Sequence, residues 1–298
     1  MGLSAVLAVG LAFALDARFA EPPARVHPVA MFGRLIAPLD RDWRTPTLVG
    51  AAIALFFPLA AGFVAASTIF VISTPLLAAL IAGLWLFSTT SRSMLVSLAR
   101  DVLAAIDADD PTVRSHIRGL VGRDTTNLSP GELRSGAVES AAENLADGLV
   151  APLLAFALGV QVSLAAGVAG AVWVKAVNTL DSMLGYPDKP HGTASARLDD
   201  AVMWLPARAS ALLLALAAGN LRALSVARRW AHAPPSPNSG WPMATLAAAT
   251  NAQLRKPDTY TLNPEASLPS SERATRGVRI VNVACVLAFF LAGVIAWF

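Results

Sequence analysis

The sequence predicts an all-α fold, a polytopic integral membrane helical bundle with broken or re-entrant helices and cytoplasmic helical insertions. Three observations predict it. Hydrophobic residues make up 55% of the chain and charged residues 14%, where soluble domains carry roughly 45–50% and about 25%, and the mean hydropathy is +0.56. The stretch from Thr45 to Ser91 holds no charge at all, and a membrane span needs only about 20 apolar residues. Finally, prolines, glycines and charges gather in short motifs between the apolar stretches, the pattern of helices that break inside a bundle or leave the membrane. One membrane-embedded domain over residues 1–298 is expected, with cytoplasmic insertions at about 92–135 and 222–279.

The same numbers exclude other classes. The net charge is +3 with 23 Lys and Arg, but these are spread over several loops with no dense basic block, so no nucleic-acid partner is expected. Cytoplasmic loops next to membrane lipid explain the excess. The single cysteine, Cys285, lies in an apolar segment, which rules out an internal disulfide and a cysteine metal cage.

In chain order, Met1 to Leu15 is apolar without a basic leader region, so it reads as a first membrane helix extended toward Phe19 rather than a signal peptide. DARFAEPPARVHPVAMFGRLI follows: Pro22 and Pro23 stop the helix, and Pro28 biases His27 toward extended backbone. His27 is a candidate base here, with Asp16 and Glu21 flanking it. Thr45 to Ser91 predicts a two-span hairpin broken near Ala66 to Thr68. The arginine-rich loops on either side of this hairpin then share one face, which the positive-inside rule makes cytoplasmic, with the N-terminus outside.

Ser91 to Ile106 has apolar residues at helical spacing and ends at Asp109, Asp110 and Pro111. A second helix is expected at Val113 to Leu120, followed by VGRDTTNLSPGEL, where Arg123 offers a fork for phosphate or carboxylate and Ser129 with Glu132 forms a capping box. In the helix that opens there, Glu139, Glu143 and Asp147 fall at i, i+4 and i+8. Three carboxylates on one face repel unless a cation lies between them, and oxygen ligands suit Mg²⁺ with phosphate. Ser140 and Asn144 lie beside them. Further on, Lys175, Asn178 and Ser182 fall at i, i+3 and i+7 with Asp181 adjacent, a complementary stripe.

Leu149 to Val174, between the two stripes, is uncharged. If Gly159 to Ser163 turns the chain back, the stripes meet; a straight helix would separate them by about 39 Å. After a Pro- and Gly-rich loop from Tyr186, SARLDD places Arg197, Asp199 and Asp200 at a helix start. Leu205 to Ala218 is apolar around Pro206 and Arg208. Arg222 to Arg279 then contains PPSPNSGWP, a short helix over Met243 to Leu254 and a polar tail, and Val281 to Phe298 is a final span.

The motifs DARFAEPPARVHPV, VGRDT, VESAAENLADGLVAPL, KAVNTLDSMLGY, SARLDD with PAR, and SPNSGWPMATLA with KPDTY together resemble the CobD/CbiB family, in order along nearly the whole chain. The resemblance implies an enzyme of the bacterial inner membrane, with its active site facing the cytoplasm. It would use ATP and Mg²⁺ to join the carboxylate of adenosylcobyric acid to the amine of aminopropanol phosphate, or a related amino alcohol, in cobalamin biosynthesis. Other cobalamin-assembly enzymes are possible partners. Neither a Walker A pattern nor a Rossmann fingerprint is present, so the nucleotide site would be of another kind. Three positions depart from the family pattern: Ala20 stands where a glycine is expected, Met203 where an asparagine is expected, and the loop PDKPHGTA lacks the usual aromatic residues.

Residue chemistry then assigns Glu139, Glu143 and Asp147 to Mg²⁺, and Lys175, Arg123 and Arg197 to phosphate or acyl-phosphate charge. Asn144, Asn178 and Ser182 are assigned to substrate binding, Asp181 or Asp199 to deprotonation of the amine, and His27 to the role of alternative base. The competing class is a membrane transporter or binding protein for an anionic small molecule, since such proteins also hold substrates on broken helices; no internal repeat of the transporter kind is found.

Overall fold

The computed structural model describes residues 2–109 and 127–298; Arg123 and the helix expected at Val113 to Leu120 lie outside them. The described chain is helical apart from one two-stranded hairpin. Five of its helices are long and apolar enough to cross a membrane, or six if the broken pair Pro190–Val202 and Trp204–Ala217 counts as one span. This is a multi-pass membrane protein.

The chain divides into two compact units, one of Met1–Ser91, Asp147–Met203 and Ala288–Phe298, the other of Arg92–Ala146 and Trp204–Leu287. The second unit takes in residues 136–146, 204–221 and 280–287 besides the two stretches that the sequence marks as insertions.

In the first unit, α1 (Gly2–Phe19) packs on α4 (Pro75–Thr89), while α3 (Pro46–Phe70) packs on the long helix α8 (Leu164–Leu184). Proline opens α2 (Pro28–Ile36), α3 and α4, a position where its missing N–H costs nothing and its fixed φ suits the helix. Pro75 therefore places the break between α3 and α4 at residues 71–74, later than the Ala66 to Thr68 break that the sequence suggests. Pro58 stays inside α3. Ile36, Ile53, Leu180 and Leu184 form a shared core under α2, α3 and α8, whereas Phe56, Phe63, Val64, Leu76, Leu84 and Phe290 point outward. An apolar exterior on apolar helices is the face that lipid covers.

The chain reverses after α7 (Ala151–Gly159). Ser163 starts α8 as an N-cap, its Oγ accepting from the Ala166 N–H at 3.0 Å, which satisfies one of the unpaired donors of the new helix. The two arms pack closely because they lack side chains where they cross: a Cβ on Gly159 would lie 2.6 Å from the Ala166 carbonyl oxygen, and one on Gly167 3.0 Å from that of Phe156. Residues 159–163 thus turn the chain back, as the notion of two facing stripes requires.

In the second unit, α5 (Arg92–Asp107) packs on α6 (Pro130–Leu145), with Arg134 donating to Asp107 at 2.7 Å. Ser129 and Glu132 form the expected capping box. Helix α12 (Gly240–Thr250) ends before the expected Leu254, because Asn251 adopts φ 50° and turns the chain. The tail then forms a hairpin that the sequence reading missed, β1 (Leu254–Lys256) with β2 (Tyr260–Leu262), with Arg255 opposite Thr261. Pro257 and Asp258 supply its turn, Asp258 with φ 58°. Helix α9 (Thr193–Val202), in the first unit, is followed by α10 (Trp204–Ala217) and α11 (Arg222–Ala227) in the second; α13 (Ser271–Trp297) closes the chain.

Ala20 terminates α1 with φ 60°, and its N–H still reaches the Asp16 carbonyl at 2.9 Å. That left-handed conformation disfavours any residue with a Cβ, which accounts for the glycine expected there. Ala20→Gly should stabilise the protein by about 0.5–1 kcal/mol, after the larger unfolded-state entropy of glycine is subtracted. Thermal unfolding in detergent checks this as a raised midpoint.

Candidate active site

Lys175 is half-buried on α8, and a lysine in an apolar bundle costs several kcal/mol unless opposite charges lie nearby. They do: its charge interacts with those of Asp147, Glu21 and Asp199. Each carboxylate comes from a different element. Glu21 follows the tight turn at Ala20, where its N–H bonds the Phe19 carbonyl at 2.7 Å. Asp199 lies on α9, which packs on α8, and accepts from Asn178 Nδ2 at 3.5 Å. Asp147 sits in a π-helical turn, Ala146–Val150.

That π turn corrects the sequence reading. It takes in an extra residue, so the i, i+4, i+8 row of Glu139, Glu143 and Asp147 loses its register after Leu145. Glu139 also has another task. It is 5% exposed and accepts hydrogen bonds from Ser135 Oγ and Tyr260 Oη, both at 2.6 Å, while Ser135 Oγ accepts from the Arg255 N–H at 2.7 Å. A buried carboxylate so engaged ties the hairpin to α6. Among the described residues no three His, Cys, Asp or Glu side chains gather to hold a metal ion, so these three acids do not make an all-protein magnesium cage. Magnesium commonly takes one or two carboxylates and completes its shell with phosphate and water, and Asp147 beside Lys175 suits that smaller role.

The remaining predicted residues fall in different places. Asp181 and Asp199 interact electrostatically with each other and with Asp200, forming a carboxylate group along α8 and α9. Ser182 donates to the Asn178 carbonyl at 2.9 Å, so its proton is spent on the backbone. Arg197 is exposed on α9. Asn144, in the second unit, donates to its own helix at Ser140 O, 3.0 Å. Sequence reasoning missed Glu21 as a site residue, although it stands in the charged EPP segment that singled out His27.

His27 caps α2, its Nδ1 accepting from the Val29 N–H at 3.2 Å. Its Nε2 lies 4.0 Å from Glu21 Oε2. Burial, and secondarily the Lys175 charge, hold its pKa below the ordinary 6.5; burial first, with Asp16 adding, raises that of Glu21 above the usual carboxylate value, against a lowering by Lys175. The ring is thus neutral at pH 7, as an Nδ1 acceptor must be. The loop without aromatics after Tyr186 is fastened differently, by Asp40, which accepts from Lys189 Nζ at 2.6 Å and lies 3.2 Å from His191 Nε2.

Two cavities adjoin at this point. A polar one of roughly 420 Å³ is lined by Glu21, His27, Ser88, Thr90 and Lys175. An apolar one of roughly 560 Å³ is lined by Phe32, Phe57, Trp85 and Val172. Val29, Thr89 and Lys175 belong to both walls. A cation between a partly polar chamber, with Glu21 as its carboxylate, and an apolar one can hold an anionic group while the rest of a ligand is desolvated.

Because the folded state resists protonation of His27, the unfolded chain binds more protons between the lowered pKa and 6.5, and stability rises with pH across that window. His27→Asn keeps a capping acceptor and should remove this component. Thermal midpoints of the two proteins from pH 5 to 8 check it: the wild-type slope below about pH 6.5 should flatten.

The whole chain has recognisable relatives. It is 33% identical to the probable cobalamin biosynthesis protein CobD of Methanothrix thermoacetophila, with 96% of this chain and 95% of that protein covered. It is 36% identical to the cobalamin biosynthesis protein CobD of Geobacter metallireducens, covering 94% and 93%, and 34% identical to that of Rhodobacter capsulatus, covering 98% and 96%. No solved structure matches it. The profile of the family described as CobD/Cbib protein matches residues 9–288, a span that takes in Glu21, His27, Asp147, Lys175 and Asp199 alike, and the chain therefore belongs to that family.

Proposed function

We propose that this protein acts in cobalamin biosynthesis as the enzyme that joins the carboxylate of adenosylcobyric acid to the amine of aminopropanol phosphate, or a related amino alcohol, at the expense of ATP. The relatives' names support the pathway. The observation that carries the reaction is Lys175, which lies among Glu21, Asp147 and Asp199 where the polar and apolar cavities meet.

A carboxylate does not condense with an amine in water, because its carbon is a poor electrophile. Transfer of the terminal phosphoryl group of ATP to a carboxylate oxygen, with ADP leaving, makes an acyl phosphate. The amine nitrogen then attacks the acyl carbon, and the C–O bond to phosphate breaks with its electron pair on the departing phosphate. Such transfers depend on positioned charge more than on a covalent nucleophile. Lys175 holds the phosphoryl oxygens, with Arg197 adding charge; Arg123, outside the described residues, stays a candidate for phosphate charge by its chemistry alone. Asp199 and Asp181 take the protons that the amine releases, Asn178 orients Asp199, and His27 is the alternative base. Magnesium would neutralise nucleotide phosphate charge, with Asp147 as the carboxylate of this unit to hold it, and Glu143 keeps an independent claim to that role. Ser182 and Asn144 remain candidate substrate contacts through their acceptor oxygens.

The cytosol supplies ATP, so this reading places the site toward the cytoplasm of a bacterial inner membrane. A cysteine at Tyr186, in the otherwise Cys285→Ala background, should be labelled by an impermeant reagent only from that side. Purified protein given the corrinoid, the amino alcohol phosphate, ATP and Mg²⁺ should form the amide. Lys175→Met should lower turnover by about a hundredfold or more, and Glu143→Gln should do so with partial recovery at high Mg²⁺. Substrate movement into proteoliposomes with no amide formed would replace this reading by transport; near-normal turnover of Lys175→Met would remove Lys175 from the mechanism.

A further inference from the structure

The second unit contains a cation that the reaction above does not use. Arg208, on α10, lies between two indoles, its Cζ 4.6 Å from the Trp204 ring centroid and 5.1 Å from that of Trp241. Its Nη1 donates to Asn238 Oδ1 at 2.7 Å and to the Trp204 carbonyl at 2.9 Å. These contacts orient the guanidinium without neutralising it, since both acceptors are uncharged, and among the described residues no carboxylate pairs with it. Among the described residues its hydrogen bonds are made by Nη1 alone, not by Nε or Nη2.

A second donor is left over at the same place. Trp241 Nε1 is buried and has no hydrogen-bond partner among the described residues, although its ring packs edge-on against His232. An orphaned buried N–H is destabilising, so a native fold keeps one where something else supplies the acceptor. Asn238, which fixes the guanidinium, is itself 5% exposed and is held by its own N–H to Ser236 Oγ at 3.2 Å. The PAR and SPNSGWP motifs thus converge on one set of donors with no anion among the described residues there.

We propose that Arg208 and Trp241 bind a phosphate group, its oxygens accepting from the guanidinium fork and from the indole N–H. The planar fork matches phosphate geometry in two-point contact, and the indole faces hold the fork flat. Two sources offer that chemistry. A soluble phosphoryl compound is one. The other is an anionic lipid headgroup, because α10 presents Trp204, Leu205, Leu212 and Leu216 outward, an aromatic and basic end on an apolar helix of the kind found at membrane interfaces.

The test uses the full chain. In detergent, inorganic phosphate is titrated and followed by phosphorus NMR; separately, the protein is isolated from mixed phosphatidylglycerol and phosphatidylcholine membranes and retained lipid is counted by native mass spectrometry. Wild type should bind phosphate, retain phosphatidylglycerol over phosphatidylcholine, or do both. Arg208→Lys should weaken the effect by about tenfold or more, having charge but no fork, and Trp241→Phe by several-fold at an unchanged thermal midpoint, having the ring but no donor. Phosphate binding in detergent identifies a soluble ligand, and lipid retention alone identifies a headgroup. If Arg208→Lys does not fold, Trp241→Phe decides. Absence of both effects in wild type, or variants equal to wild type in both, overturns the proposal.

Discussion

A lysine half-buried in an apolar helical bundle needs compensating charge, and in this protein that requirement shapes the first unit. Lys175 draws Glu21 from the turn after α1, Asp147 from the π turn before α7 and Asp199 from α9. Three segments far apart in sequence are therefore tied to one helix, α8. The helix pair α7 and α8 provides the rigid wall, since glycines at their crossing let the backbones approach and the arms interlock. Without that reversal Asp147 and Lys175 would face away from each other at opposite ends of an apolar rod.

Local irregularities in this unit coincide with the chemistry. The left-handed Ala20 costs stability but directs Glu21 inward immediately after a membrane helix, and the π turn at Ala146–Val150 displaces Asp147 from the row of acids that a regular helix would build. Strained or widened backbone near functional groups is a recurrent pattern. The histidine cap at α2 belongs to the same set: one ring nitrogen starts a helix while the other faces Glu21. The second unit organises its own polar residues separately, through Glu139 with the hairpin and Arg208 with two tryptophans.

Much of the candidate site was legible because membrane sequences are mostly apolar, so polar residues stand out. Lys175, Asn178, Asp199 and His27 were each recognisable as charges or polar groups with no business in a purely structural bundle, and the turn at Gly159 to Ser163 was visible as a glycine and a cap residue between two uncharged arms. Glu139 shows the limit of the same reasoning. A carboxylate at helical spacing from two others looks like a ligand until its partners, Ser135 beside it and Tyr260 more than a hundred residues away, are known. Glu21 was undervalued because a residue after two helix-ending signals looks like a loop charge.

By itself the sequence determined that the chain is a helical membrane protein, where most helices begin, and which polar residues the apolar background cannot hide, because hydropathy, proline position and capping are local properties. Tertiary structure alone decided which carboxylates meet Lys175, that Glu139 fastens a hairpin and that the tail folds as strands. Those outcomes depend on distances between segments that come together only when the helices pack, and on the π turn, whose extra residue no regular period reveals.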